Sequence, residues 1–335
     1  LFCPLGGSGE IGMNMNLYAY GDSGDQKWII VDVGVTFADD SLPGIDLIYA
    51  DPGFIVDKKD NLLGIVLTHA HEDHIGAVTY VWKNLKCKIY ATPFTAALVT
   101  EKFKEKKIDI IPYLKIVELN GTINLDPFKI EFVTLTHSIL EPNGLKIDTP
   151  AGTIFHTGDW KVDPNPLVGK KIKEEKLKKI GDDKVLAMVC DSTNVFSIGR
   201  AGSESDVKKS MLKVMSRQKK RILVTSFASN VARMETVFDC AEKIGRQISL
   251  VGRSMHRIFN AARQCGYLKQ VLDPLDPRDA KKLAREYEIS GGNIKDVVQY
   301  AWLLSKRNDS LLTNKEVVQG IRRELIKDGK SLNST

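Results

Sequence analysis

The chain is poor in the residues that build stapled or membrane-bound proteins. Its five cysteines, Cys3, Cys87, Cys190, Cys240 and Cys265, are scattered through 335 residues, odd in number and without a CxxC pair. That argues against a disulfide framework or a structural zinc knuckle, and for a reducing cytosol. No apolar run approaches the roughly 18–20 residues of a membrane span. The N-terminus also lacks the basic-then-apolar layout of a signal peptide. A cytoplasmic protein without a membrane partner is therefore expected. No internal repeat and no low-complexity segment occurs. A GxxxxGK[ST] loop is missing too, since the "GKS" at 329–331 has no upstream glycine. No nucleotide cofactor is expected, and ATP hydrolysis by this chain alone is not.

What is present is an ordinary globular composition, 43% hydrophobic and 27% charged, long enough for two or three domains. The net charge of +6 is unevenly spread. Residues 1–160 hold 13 Lys+Arg against 21 Asp+Glu, a balance of −8; the remainder holds 35 against 21, a balance of +14. An acidic half able to hold cations, joined to a basic half able to attract polyanions, suits work on nucleic acid. Lysine-rich solvated helix faces would give the same numbers, and both readings stand on charge alone.

Short runs rich in Val, Ile, Thr and aromatics predict strands at "NLYAYG", "KWIIVDVG", "LLGIVLTH", "CKIYATP", "FKIEFVTLTH" and "AGTIFHTGDW". Helical patterns intervene at "HIGAVTYVWKNL" and "TAALVTEKFKEK". The alternation predicts an α/β layered domain, and "KVLAMVCDSTN" adds a further buried strand. From residue 205 the pattern is helix–strand–helix, with strands expected at "RILVTSF" and "QISLVG". After about residue 271 the β signal fades. Asp276 before Pro277, Ser290, and Thr313 with Glu316 mark helix starts. Domains are expected at 1–204, 205–271 and 272–335, the last a helical appendix. Gly7, Gly9 and Gly12 spell GxGxxG, with Asp32 twenty residues later. Yet the adjoining "MNMNLYAYG" alternates like a strand, so a tight hairpin is expected rather than a dinucleotide site.

Three of the six histidines fall within "THAHEDHIG". His69 and His71, two apart in extended backbone, point the same way, while Asp73 and His74 sit where the chain turns into a helix. The histidine pair can hold one cation and the Asp–His pair a second, zinc being favoured by the donor types. Two residues that close other β-like runs are candidates to complete the set, His137 in "TLTHS" and Asp159 in "HTGDW". Asp159 is placed to bridge two ions. Asp32 is expected to orient a ligand histidine rather than bind metal, and His156 to support the site or the fold.

HxHxDH, then a lone His, then GD resembles the metallo-β-lactamase superfamily. "LGGSGEIGMNM", "LTHAHEDHIGA", "HSILEPNG", "HTGDWKVDP" and "CDSTNV" resemble, within it, the ribonuclease J family of the β-CASP branch, over about residues 1–270. The resemblance implies an αββα sandwich with two zinc ions, joined to a partial β-CASP α/β domain. It also implies 5′-to-3′ exonuclease action, with endonuclease action in some members, on RNA through a metal-activated hydroxide. By the family pattern His69, His71 and His137 hold one zinc, Asp73 and His74 the other, and Asp159 bridges them. Asp191 matches the acidic residue that opens the β-CASP motifs, and with Asp73 is the expected catalytic carboxylate. Asp191 would position or protonate the leaving group. Ser226, Ser229 and Asn230 run from strand into helix and offer phosphate donors, although plain helix capping explains them as well. Arg253, near His256 and Arg257, is placed to touch RNA or simply to make a basic turn. Single-stranded RNA is the expected partner, and a homo-oligomer is compatible with the pattern.

The family pattern continues with further histidine motifs, one completing the second zinc shell, whereas no histidine follows His256. Residues 272–330 instead resemble the helical lid of an AAA-type ATPase, through "SGGNIKDVV" and the order of helices. A fusion or truncation with a junction near 268–274 is the expectation, with an under-coordinated second zinc and impaired activity. Two rival functions remain. One is another hydrolase of the same fold acting on a thioester or lactone, which leaves "DSTN" and "GRSM" without purpose. The other is a metal- and RNA-binding remnant that cleaves nothing.

Overall fold

The computed structural model describes residues 1–39, 41–199, 202–268, 300–301, 303–304 and 314–327. Strands β1 (Phe2–Gly6), β2 (Met15–Tyr20), β3 (Lys27–Val31), β4 (Leu62–Val66), β5 (Ile89–Ala91) and β6 (Leu114–Ile116) form a six-stranded sheet in that order. The first three are antiparallel and β3 to β6 run parallel. The crossovers carry α1 (Gly53–Val56), α2 (Glu72–Ile75), α3 (Val78–Leu85) and α4 (Pro93–Glu105). A five-stranded sheet holds β7 (Thr122–Leu125), β8 (Phe128–Thr134), β9 (Asn143–Thr149), β10 (Gly152–His156) and β11 (Ala187–Val189), in the order β11-β10-β9-β8-β7.

The period of two along each strand assigns its side chains to layers. On β3, Ile29 and Val31 enter the core between the sheets, where they join Phe128, Ile130, Phe132, Leu145 and Ile147 of β8 and β9. Trp28 and Ile30 face the other way, toward α3 and α4, with Val78, Val81, Phe94, Val99 and Phe103. Helix α5 (Glu174–Asp182) covers the outer face of the second sheet, where Ile180 meets Val133 and Phe155. The result is the expected αββα sandwich. A fully buried Phe132 contributes about 1.5–3 kcal/mol by removal from water.

A second region comes after the sandwich. Helix α6 (Glu204–Ser216) is capped by Ser203, whose Oγ accepts the Ser205 N–H. Helices α7 (Val231–Lys243) and α8 (Arg253–Gln264) bury Val231, Met234, Phe238, Ile258 and Phe259 in the same core as α4. Arg233 holds the buried Glu204 with two bonds of 2.5 and 3.2 Å, which ties α7 to α6.

Three expectations are corrected here. "RILVTSF" and "QISLVG" form no regular element and enter no sheet among the described residues. Residues 221–227 do alternate in exposure, with Leu223 and Phe227 in solvent at 84% and 81%. A strand needs a hydrogen-bonding neighbour, and periodicity alone does not supply one. "KVLAMVCDSTN" yields only β11, an edge strand with Met188 exposed, not a buried one. Some elements carried too little signal to be expected at all, among them the short β6 and the partly polar β7 and β9. The GxGxxG segment is the turn between antiparallel β1 and β2, with Gly7, Gly9 and Gly12 at positive φ. Helix α9 (Asn314–Lys327) starts one residue after Thr313. The remaining helix starts of the appendix, the lid-like "SGGNIKDVV" and the junction at 268–274 fall largely or wholly outside the described residues. No helix among the described residues is long and apolar enough to cross a membrane.

Candidate metal centre

The site lies where β3, β4, β8 and β10 deliver their C-terminal ends to one rim. Strand β4 leaves the sheet at Val66 and carries the chain through buried Thr68 to buried His69. Asp32 comes directly after β3 with φ +63° and is wholly buried. Its Oδ1 accepts the Thr68 N–H at 2.8 Å and its Oδ2 the Thr68 hydroxyl at 2.7 Å. The same Oδ2 lies 2.7 Å from His74 Nδ1. A carboxylate only accepts, so His74 carries its proton on Nδ1 and turns Nε2 to the site. Thr68 donates to Asp32 and therefore accepts from His69 Nδ1 at 3.0 Å, which turns His69 Nε2 inward as well.

Two groups of ligand atoms converge on this rim, His69, His71, His137 and Asp159 in one and Asp73, His74 and Asp159 in the other. Within the first, His69 Nε2 is 3.1 Å from His71 Nδ1, which is 3.2 Å from His137 Nε2. The edge of a tetrahedron with zinc–nitrogen bonds of about 2.0–2.1 Å is about 3.3–3.4 Å, so three lone pairs at this spacing fit one ion. Asp159 reaches both groups, with Oδ1 3.2 Å from His74 Nε2 and Oδ2 3.6 Å from His137 Nε2. Asp73 Oδ2 stands 3.6 Å from His74 Nε2.

The electrostatics agree with a cation site. Burial holds His69 neutral, well below the usual range. Burial, with neighbouring imidazoles, lowers His71 to about 3, and burial also lowers His137. Neutral imidazole is the ligating form. Burial opposes a charge on His74 too, but Asp32 and Asp159 outweigh it and the net shift is upward. Those carboxylates prepare a place for positive charge. Burial raises Asp73. For Asp159 burial is outweighed by the His74 hydrogen bond and the surrounding imidazoles, which draw it down to about 2.

Other candidates lie outside both groups. His156, lowered to about 4 by burial, meets Tyr18 Oη at 2.8 Å through Nδ1 and underlies the rim. Asp191 lies just past β11; its N–H donates to Thr157 Oγ1 and its Oδ1 accepts the Thr193 N–H. Asn230 caps α7, its Oδ1 accepting the Arg233 N–H at 2.9 Å. Ser226 Oγ donates to the Phe227 carbonyl at 3.3 Å, and Ser229 stands just before the cap. Arg253 opens α8 in solvent, Arg257 pairs with Glu105 and His256 with the Leu250 carbonyl. Sequence reasoning missed Asn14, whose Nδ2 is 3.2 Å from His74 Nε2 and 3.1 Å from the Asp73 carbonyl. It also missed Thr68. Neither sits in a metal-ligand spacing, and only the fold brings Asn14 to the rim. Gly34 permits the arrangement, because a Cβ there would lie 1.6 Å from the Asp73 carbonyl oxygen.

Comparison with known proteins places these features. Residues 14–170 match the family model of the metallo-β-lactamase superfamily, and residues 219–289 match that of the ribonuclease J β-CASP domain. A ribonuclease J of Sinorhizobium meliloti is 44% identical over 272 residues, 81% of this chain and 48% of that protein. Those of Corynebacterium glutamicum and Helicobacter pylori J99 are 41% and 36% identical over 268 and 266 residues, 36% and 38% of their lengths and 79% of this chain. The chain thus spans less than half the length of these curated relatives. Among solved structures, a protein of unknown function from Enterococcus faecalis V583 shares the fold, with a TM-score of 0.52 and 18% identity over 80% of this chain and 70% of that one. A metallo-β-lactamase fold with this donor set implies a divalent metal at the rim.

Proposed function

The chain belongs to the ribonuclease J family, and from that premise we propose that it hydrolyses phosphodiesters of single-stranded RNA from the 5′ end as a metal-dependent ribonuclease. The observation that carries the reading is the sharing of Asp159 between two adjacent ligand groups. His69, His71 and His137 would hold one ion, Asp73 and His74 the other, with Asp159 between them. Zinc suits the donor set, three imidazoles and a carboxylate at tetrahedral spacing beside a more acidic pair. Bound there, the ions would supply a water of lowered pKa and counter-charge for the phosphoryl oxygens.

The chain's own residues do the rest. Asp32 and Thr68 hold the rings of His74 and His69 with their inner nitrogens facing the rim. Asn14 fixes the Asp73 backbone. Asp191 would position the leaving group. Its charge reaches His137, where it favours the protonated ring against burial. The RNA strand would run onto the basic second region, where Arg217, Lys219, Lys220 and Arg221 are exposed and phosphate contacts supply affinity. Ser226, Ser229 and Arg253 are the proposed phosphate contacts there, with the Asn230 amide nitrogen, since its oxygen is used in capping. A division near residue 204 separates this guiding unit from the metal unit. Five free cysteines suit work in the cytosol.

The test is end-labelled single-stranded RNA with a 5′-monophosphate, incubated with the chain, with and without chelator, beside Asp73→Ala. The expected result is chelator-sensitive release of mononucleotides that the variant lacks. A folded, metal-loaded chain that leaves the RNA intact would contradict the proposal.

A further inference from the structure

His137 is the only histidine of the cluster outside the "HAHEDH" loop. It rides on a turn of eight residues between β8 and β9, closed by the Leu135 N–H donating to the Pro142 carbonyl at 2.9 Å. Its position therefore depends on what holds that turn. One end is tied to the Asp159 strand exit. The Lys161 N–H donates to the Thr136 carbonyl at 2.8 Å, and the Thr136 hydroxyl returns a bond of 2.5 Å to the Lys161 carbonyl. The other end is tied by Glu141, a buried carboxylate held at φ +52°, a conformation unfavourable for any residue with a Cβ.

Two donors converge on Glu141 from different parts of the molecule. Oε2 accepts the Phe94 N–H at 2.9 Å. That N–H is an orphan of the first turn of α4, where Pro93 has no N–H and Thr92 makes no capping bond. Oε1 accepts the Tyr267 hydroxyl at 2.9 Å, from just beyond α8 in the second region. Asn143 completes the anchor, its Nδ2 donating to the Glu141 carbonyl at 2.6 Å and to the Thr68 carbonyl at 3.2 Å, beside His69.

We propose that Glu141 is a positioning residue. It holds the His137 turn in register with His69 and His71, and through Tyr267 makes that register depend on the docking of the second region. The inference rests on the metal-binding part of the function proposed above, and its test does not need RNA cleavage. Glutamine at 141 keeps the size but turns an N–H₂ toward one of two donors, while phenylalanine at 267 removes a single hydroxyl.

The experiment titrates the full chain with Co2+, following its visible absorption, for wild type, Glu141→Gln and Tyr267→Phe. Glu141→Gln is expected to weaken one Co2+ equivalent about tenfold to a hundredfold, the range for supporting partners of metal ligands, and to alter its spectrum. The equivalent held by Asp73 and His74 should stay close to wild type. Tyr267→Phe is expected to give a smaller loss in the same equivalent, since the bond to α4 survives. Unchanged affinities and spectra in folded variants overturn the proposal. So does a loss spread equally over both equivalents, as a merely structural carboxylate would give. If Glu141→Gln does not fold, Tyr267→Phe decides alone by the same criteria. Two bound Co2+ without RNA cleavage overturns the ribonuclease reading only, and a wild-type chain that binds no Co2+ overturns both.

Discussion

The sandwich and the region after residue 204 use their apolar side chains in different ways. In the sandwich every strand lies in a ladder, and Ile29, Val31, Phe132 and Ile147 are wholly enclosed between two sheets. In the second region α7 and α8 bury one face against α4, while the irregular stretch before α7 leaves Leu223 and Phe227 in solvent. The contrast shows where rigidity is concentrated. The proposed metal rim needs ligand atoms held to a few tenths of an ångström, and the enclosed strand ends suit that. The second region presents charge and surface, and meets the turn that carries His137 through the Glu141–Tyr267 bond.

That contrast can be broken most forcefully at the rim. His71→Ala removes a proposed ligand of the first group, and the loss of several kcal/mol of metal stabilisation corresponds to a roughly thousandfold fall or more in the proposed RNA cleavage. Turnover of labelled RNA reads it. Next comes a matched pair of truncations. Phe132→Ala should cost about 3–5 kcal/mol, and Phe227→Ala less than about 0.5 kcal/mol, both read from urea unfolding. Equal costs would erase the distinction between the regions. A smaller effect is expected from Gly34→Ala, about 1–3 kcal/mol for overpacking, with weakened metal binding because the Asp73 loop must move.

A further effect is one of slope. His156 is held at about 4 by burial, below its usual 6.5. Between those values the unfolded chain binds a proton that the folded chain refuses, so stability falls as pH drops through that window. His74 has the opposite sign: its folded value is raised, so its contribution is complete below about 6.5 and is lost as pH rises through the folded value. The difference between wild type and His156→Gln isolates His156. In the metal-free chain the variant should flatten the acid-side slope by about one proton, about 1.4 kcal/mol per pH unit. Parallel curves would show that His156 titrates as in water.

Much of the rim was legible because its information is local. His69, His71, Asp73 and His74 sit within six residues, and His137 and Asp159 each close an apolar run. The layered fold was legible for the same reason, through short apolar, β-branched runs such as "KWIIVDVG". Asn14, Thr68 and Glu141 were not, because each depends on a partner it meets only after folding; Asn14 and Asp73 are 59 residues apart, Thr68 and Asp32 36. The two stretches expected as strands in the second region fail for a related reason. Alternation reports which side chains can share a face, and residues 221–227 do alternate, but a ladder needs a neighbouring backbone that a local pattern does not reveal. The proposed phosphate contacts at Ser226 and Ser229 were no easier to read, since capping and anion binding use the same residue types.

The sharpest single measurement is the number of metal ions bound per chain in wild type and in Asp159→Ala, by elemental analysis after equilibration with zinc. Two ions in the wild type, with the second lost and the first weakened in the variant, is the result expected of a carboxylate shared by both ligand groups. Two ions retained at wild-type affinity in Asp159→Ala would contradict a shared centre at this rim.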